Sequence, residues 1–370
     1  MGTSSVYVGK VFGIPIRVHA SWLLVFLLVT FSLATSYFPQ NYPAWSGTLD
    51  WALGLATSLL FFLSVLLHEL AHSVVARRRG LAVRDIVLFV FGGVSEITQE
   101  PETPATELLM AAVGPLTSIV LGAALTLLRA PVQGLSQQLA AVFLYLGGIN
   151  LSLGIFNLLP GFPLDGGRVL RAILWWRSRN LDRATRWASL AGQGVAYVFI
   201  LLGVAQALRG SLAGGLWMAF IGWFLDSAAQ TSYRQLAMQR MLKGHTVGEI
   251  MTRSCSGISP TSSLQDLVDR QILGEGRRCL PIVDGEAFLG LVTVHRIQGF
   301  PRDKWPLITA REAMIPRNEL RTISASEELA AALGEMAEDG VNQLPVVEGD
   351  RMVGLLTREN VTTFLQLHAK

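Results

Sequence analysis

The sequence predicts a polytopic α-helical membrane protein with a small α/β domain after its last span. Three observations predict it. Hydrophobic residues make up 51% of the 370-residue chain and charged residues only 15%, where a soluble domain carries about 25% charge. The apolar runs crowd the chain up to about Gln230, after which polar and charged residues return to ordinary levels. That later stretch also repeats itself. The division this implies is a membrane part over 1–230, a linker over 231–245, and two repeats over 246–300 and 308–370.

A spanning helix needs roughly 20 mainly apolar residues. Six candidates start near Ala20, Leu53, Leu108, Leu139, Leu190 and Leu212. Lys10 and Arg17 before the first give it the look of a signal peptide, but the run is long enough to span, so an uncleaved first span is expected. Lys and Arg in short loops set direction. The second span ends in Arg77, Arg78 and Arg79, and the fourth is followed by Arg168, Arg171, Arg177, Arg179, Arg183 and Arg186. The stretch from Ser36 to Asp50 has neither Lys nor Arg. This bias puts both termini and the repeats in the cytosol. There, Cys255 and Cys279 read as reduced thiols, since two cysteines make no disulfide framework. The net charge of +3 is too small to argue for nucleic acid as a partner, and no basic cluster is interleaved with aromatics.

The second span ends in His68-Glu69-Leu70-Ala71-His72. On a helix, positions i and i+4 share one face, so His68 and His72 can offer two imidazole nitrogens to one metal ion. Glu69 follows the first ligand. A zinc site lowers the pKa of its water to about 7, and a neighbouring glutamate can take the proton as a carbonyl is attacked. An interfacial polar cluster beside Arg77 is the plainer reading, but ionisable residues deep in a bilayer are costly and functional by default.

Two histidines leave a catalytic zinc one protein ligand short. His245, His295 and His368 lie in the repeats, and His19 opens the first span as an interfacial residue. The fourth span runs into Asn157-Leu158-Leu159-Pro160-Gly161-Phe162-Pro163-Leu164-Asp165-Gly166-Gly167. Its prolines and glycines break the helix, and broken backbone at membrane depth must be buried in protein or line a wet cavity. Asp165 is then either the third ligand or a turn residue at the cytosolic surface.

These motifs resemble the site-2 protease family of intramembrane zinc metalloproteases, peptidase family M50. The likeness rests on His68 to His72, on the run from Asn157 to Gly167, and on Phe91-Gly92-Gly93-Val94 between them, and it covers about the first 230 residues. It implies one zinc ion per chain held by His68, His72 and Asp165, with Glu69 as general base. It implies that Asn157 faces the site and holds the substrate carbonyl or its oxyanion. It also implies a multi-pass plasma-membrane protein of a bacterium or archaeon, with membrane-anchored regulators such as anti-sigma factors as substrates.

Between Leu81 and Thr98 the sequence is rich in Val, Ile and Phe around Gly92 and Gly93, and reads as a short membrane-associated β-hairpin. A transmembrane substrate must unwind to expose a peptide bond, and the edge of such a hairpin could accept it as an added strand. The plainer reading is a simple connection. Gly114-Pro115 in the third span reads as a kink or close-packing point.

In the repeats, Val247 to Met251 parallels Ala310 to Met314. Leu280-Pro281-Ile282-Val283 parallels Leu344-Pro345-Val346-Val347, and Gly290 to Thr293 parallels Gly354 to Thr357, both offset by 64 positions. Each copy reads β-α-β-β-α, with helices around Leu264 to Leu273 and Glu327 to Asp339. Over about Thr246 to Lys370 this resembles a tandem pair of CBS domains, which implies ATP or another adenine nucleotide between the copies. Arg296, Thr357 and Asn360 are the candidate contacts. Arg296 and Asn360 stand where the family's ribose-binding acid would be, which weakens that implication. The alternative is a docking module or a homodimer contact.

Two other functions fit parts of the pattern. A transporter or channel gated by the repeats could use His68, His72 and Asp165 for a permeant metal, although a pathway needs no general base at Glu69. An inactive relative would only bind membrane proteins, but no required residue is missing.

Overall fold

The computed structural model describes residues 5–90, 92–97, 101–253, 257–277 and 279–368. Phe91, Cys255, Thr98 and Lys370, which figured in the sequence expectations, lie outside the described residues. The chain divides into two compact units, Met1–Arg234 and Gln235–Lys370.

In the first unit, six helical stretches among the described residues are long and apolar enough to cross a membrane. The first joins α1 (Ala20–Ser32), a wider π-wound turn over Leu33–Tyr37 and α2 (Phe38–Asn41). The others are α3 (Gly47–Arg78), α4 (Pro104–Gln133), α5 (Gln137–Asn157), α7 (Leu181–Leu208) and the part of α8 (Leu212–Leu242) up to Thr231. The shorter α6 (Asp165–Ser178) lies between α5 and α7. Ser46, Thr103, Ser136 and Asn180 set four of these starts, each accepting a hydrogen bond from the backbone N–H three residues on.

Burial in this unit follows membrane rules. Large apolar side chains such as Leu127, Leu201 and Trp217 face outward, while Thr57, Ser58, Ser118 and Asn150 are buried. Lipid tails are as apolar as leucine, so helices associate through small residues that let backbones approach. At the α4–α5 contact, a Cβ on Gly122 would stand 2.8 Å from the Gly147 carbonyl oxygen, and one on Gly154 2.8 Å from that of Pro115.

A four-stranded sheet has the order β1 (Ser5–Val11), β2 (Ile14–His19), β3 (Val83–Phe89), β4 (Gly92–Ile97). β3 and β4 form the antiparallel hairpin around the glycines, with Phe89 opposite Gly92, and β2 joins β3 in parallel. β1 and β4 are the two outer strands. The β1–β2 hairpin is an addition to the sequence reading. Its turn places Phe12 and Gly13 at φ 48° and 76°, both positive as a tight hairpin turn requires. Phenylalanine rarely takes that conformation, so the turn does not announce itself.

In the second unit, α8 runs on to Leu242, through most of the stretch read as a linker, and Gly244 at φ 82° follows its end. β5 (Cys279–Asp284) pairs with β6 (Ala287–Thr293), which also pairs with the two-residue β7 (Ile315–Pro316), and β8 (Gln343–Glu348) pairs with β9 (Arg351–Thr357). The first strand of each copy shrinks to a single bridge, Ile258 with Ile282 and Ile323 with Val346. The helices are Leu264–Gly274, whose second part is π-wound, and Leu329–Glu338. The copies exchange their leading segments. Met251 lies against Gly354 and Met314 against Gly290, so that a Cβ on either glycine would stand 2.6 Å and 3.1 Å from the methionine sulfur. Each copy has an apolar core, one around Leu344, Val346 and Met336, the other around Leu264, Leu280 and Ile282.

Candidate metal centre

The centre starts on α3. One turn apart, His68 and His72 turn the same way into the unit, 4% and 9% exposed. Asp165 opens α6 as its first residue, after the loop over Leu158 to Leu164 that follows α5. The loop reverses the chain so that the carboxylate meets the histidines from the other side. Asp165 Oδ2 lies 3.1 Å from His68 Nε2 and 3.2 Å from His72 Nε2, and the two Nε2 atoms are 3.2 Å apart. His19 caps α1 through Ser21, and His245 pairs with Glu249, so neither joins the group.

The donor chemistry fits a divalent cation. His72 Nδ1 lies 2.6 Å from the Met110 carbonyl oxygen. A carbonyl only accepts, so Nδ1 carries the proton and Nε2 presents its lone pair. That lone pair faces another imidazole nitrogen and a carboxylate oxygen, which repel it unless a cation sits among them. Zinc bonds of about 2.0–2.1 Å in tetrahedral geometry set ligand atoms about 3.3–3.4 Å apart, close to the triangle here. His68 Nδ1 is held in turn by Ser118 Oγ at 2.9 Å.

Glycines make the room. A Cβ on Gly114 would stand 2.1 Å from His72 Nε2 and 2.8 Å from His68 Nε2. Gly114 is therefore the close-packing point, and what packs there is the metal site. A Cβ on Gly93 would stand 2.4 Å from Glu69 Cγ. Glu69 itself is oriented by β4, because Ser95 Oγ donates to Glu69 Oε2 at 2.9 Å while accepting from Ser73 Oγ at 3.0 Å. A cavity of about 450 Å³ is lined by His68, Glu69, His72, Asn157, Asp165 and Arg168, with Gly92 to Ser95 along one wall.

Four of the sequence candidates, with Asn157 beside them, thus meet at one cavity. The sequence reading gives Gly93 as part of the hairpin and Gly114 as a kink or close-packing point, and it misses Met110, Ser118 and Ser95, which act on His72, His68 and Glu69 across the fold.

Two stretches, residues 56–134 and 128–202, match the model of peptidase family M50, and residues 247–300 and 310–367 match the CBS domain. The protein named zinc metalloprotease Rip3 in Mycobacterium tuberculosis is 35% identical over 97% of this chain and 92% of its own. This chain belongs to peptidase family M50. The Synechocystis relative sll0528, also named as a zinc metalloprotease, is 33% identical over 99% of this chain and 97% of its own. The solved site-2 protease from Methanocaldococcus jannaschii is 30% identical, with a TM-score of 0.41 over 61% of this chain and 94% of that one. As an M50 member, the chain is a multi-pass membrane metalloprotease of the site-2 type with a tandem CBS pair.

In the CBS pair, Thr357 and Asn360 are already tied together. Asn360 Oδ1 accepts from the Thr357 N–H and Oγ1 at 3.0 and 2.7 Å, and its Nδ2 donates to Thr252 Oγ1 of the other copy at 3.2 Å. The Arg296 N–H donates to Thr293 Oγ1 at 3.2 Å. Arg296 and Asn360 occupy equivalent positions in the two copies.

Proposed function

We propose that this M50 peptidase cuts membrane-anchored proteins within or beside a transmembrane segment, with both termini and the CBS pair in the cytosol. His68, His72 and Asp165 hold one zinc ion. Bound there, zinc supplies a Lewis acid that polarises a carbonyl and makes water nucleophilic near neutral pH. Glu69 takes the proton of the attacking water and delivers it to the leaving amine nitrogen, while Ser95 holds its Oε2 in place. Asn157 lines the same cavity and offers its amide to the substrate carbonyl. The substrate enters as an extended strand on β4, whose far edge has no partner strand among the described residues. Main-chain pairing there holds the unwound segment beside Glu69 without demanding a particular sequence.

The observation that carries this reading is the meeting of His68 Nε2, His72 Nε2 and Asp165 Oδ2 beside a glutamate that is held but not spent. The test is Glu69→Gln in purified protein, with zinc content and cleavage of a membrane-anchored reporter measured together. Zinc stays at one per chain and cleavage falls about 10²–10⁴-fold, the usual worth of a general base. Retained cleavage refutes the role of Glu69.

The CBS pair binds an adenine nucleotide between its copies and modulates cleavage. Its support is the matched repeat and the facing segments of the two copies. Cleavage by the full chain with and without ATP tests it, and an unchanged rate with no ATP bound counts against it.

A further inference from the structure

One face of α4 holds the outer nitrogens of both histidines. Met110 and Ser118 hydrogen-bond the two Nδ1 atoms, and Gly114 between them clears the space for the two rings. One turn before Met110 on the same face stands Glu107, the start of a stripe at 107, 110, 114 and 118. Its carboxylate is buried, and it is paired with Arg171 of α6, whose side chain is equally buried. The contact is forked, with Arg171 Nε and Nη2 both on Glu107 Oε1. The same guanidinium lies over the Phe162 ring, 5.4 Å from its centre. Phe162 stands in the loop that delivers Asp165, and Arg171 stands six residues after Asp165 on its helix.

We propose that the Glu107–Arg171 ion pair is a positioning device for the metal centre. It fixes the register of α4 against α6, and so sets where the Met110 carbonyl, the Ser118 hydroxyl and the Asp165 carboxylate stand relative to one another. This rests on the reading that His68, His72 and Asp165 hold the ion. A slip of α4 by one residue moves its face about 1.5 Å along the axis and rotates it by about 100°. Both histidine hydrogen bonds would then break. The glycine contacts at Gly114 and Gly122 oppose such a slip against α3 and α5, and the forked, directional charge pair adds the tie that fixes α4 against α6.

Removing one partner strands the other charge, whereas replacing a buried pair by apolar residues of similar volume is often neutral for stability. That difference separates positioning from stability. The experiment uses full-length protein in detergent, stripped of metal and titrated with Co²⁺ by its visible absorption. Zinc affinity is then read by competition with a chromophoric chelator. Wild type, His68→Ala, Glu107→Gln, Arg171→Lys and the double variant Glu107→Leu/Arg171→Met are compared, with folding checked by helical circular dichroism. The Glu107→Gln variant is expected to bind zinc about 10–100-fold more weakly, the usual cost of losing an outer support of a metal site. The double variant keeps wild-type helicity yet binds as weakly, with an altered Co²⁺ spectrum. Arg171→Lys, which keeps the charge and loses the fork, falls between. A folded double variant, or Arg171→Lys, with wild-type affinity and spectrum overturns the proposal. Equal binding by wild type and His68→Ala overturns the ligand assignment itself, and the proposal with it.

Discussion

Both units bury apolar side chains, but among the described residues the buried polar and charged ones lie in the membrane unit. The CBS pair encloses Leu264, Leu280, Ile282, Leu344 and Met336, and none of its described charged residues is buried. The membrane unit turns Leu127, Leu201 and Trp217 outward and encloses Ser58, Ser73, Glu107, Asn150 and Arg171 along with the metal site. In water the apolar side chain gains by burial. In lipid it gains nothing, so the interior is left for small residues and for polar groups that find partners. Apolar burial in the second unit therefore speaks of stability, and polar burial in the first speaks of chemistry.

The sharpest break of that comparison is at the ligands. Asp165→Ala or His72→Ala should leave the six helices intact yet remove the zinc and all measurable cleavage, as metal analysis beside a reporter assay would show. Zinc retained at one per chain in either variant would contradict the assignment. Next come the two glycines, whose expected effects differ. Gly114→Ala puts a methyl group 2.1 Å from His72 Nε2, so zinc content should fall with the fold intact. Gly93→Ala presses on Glu69 instead, 2.4 Å from its Cγ, so kcat should fall at least tenfold, on the order of 1.4 kcal/mol of barrier, with zinc unchanged. If the two variants behave alike, β4 and α4 do not have separate tasks.

In the second unit the same size of change should read out as stability. Leu344→Ala empties a fully buried site and should cost about 2–5 kcal/mol, seen as a lowered thermal transition of the CBS pair in the full chain with zinc content unchanged. Leu127→Ala, at a site 76% exposed in the membrane unit, should change neither. The smallest effect concerns pH. Glu249 and Glu312 close capping boxes at the start of each CBS copy. His245 and the Thr246 N–H hold Glu249 below the usual carboxylate range, and the Thr309 N–H and hydroxyl do the same for Glu312. A carboxylate with a lowered folded-state pKa stabilises fully above its unfolded pKa and loses that contribution as pH falls through the folded value. The CBS transition should therefore drop on acidification below about pH 4.3, and Glu249→Gln with Glu312→Gln should flatten the drop.

How much of this was legible in the sequence follows the same division. The His68–His72 pair shows because helical spacing is local, and Asp165 shows because Pro160, Gly161 and Pro163 mark a break where a span should continue. The 64-residue offset exposes the CBS copies. The support of the site was not legible. Met110 acts through a backbone carbonyl, which no side chain reports. Gly93 and Gly114 matter through what lies opposite them, at distances along the chain that no local pattern spans. The β1–β2 hairpin hid behind Phe12 in a conformation glycine or asparagine usually takes, and behind basic residues that look like the flank of a first span.

The claim on which all of this turns is that two imidazole nitrogens and one carboxylate oxygen share a zinc ion. Zinc-edge X-ray absorption of the purified full-length protein tests it most directly. The expected spectrum has only nitrogen and oxygen neighbours at about 2.0–2.1 Å, includes an imidazole signature, and loses one light neighbour in Asp165→Ala if any metal remains. A sulfur shell at about 2.3 Å, or a spectrum unchanged by Asp165→Ala, would contradict it.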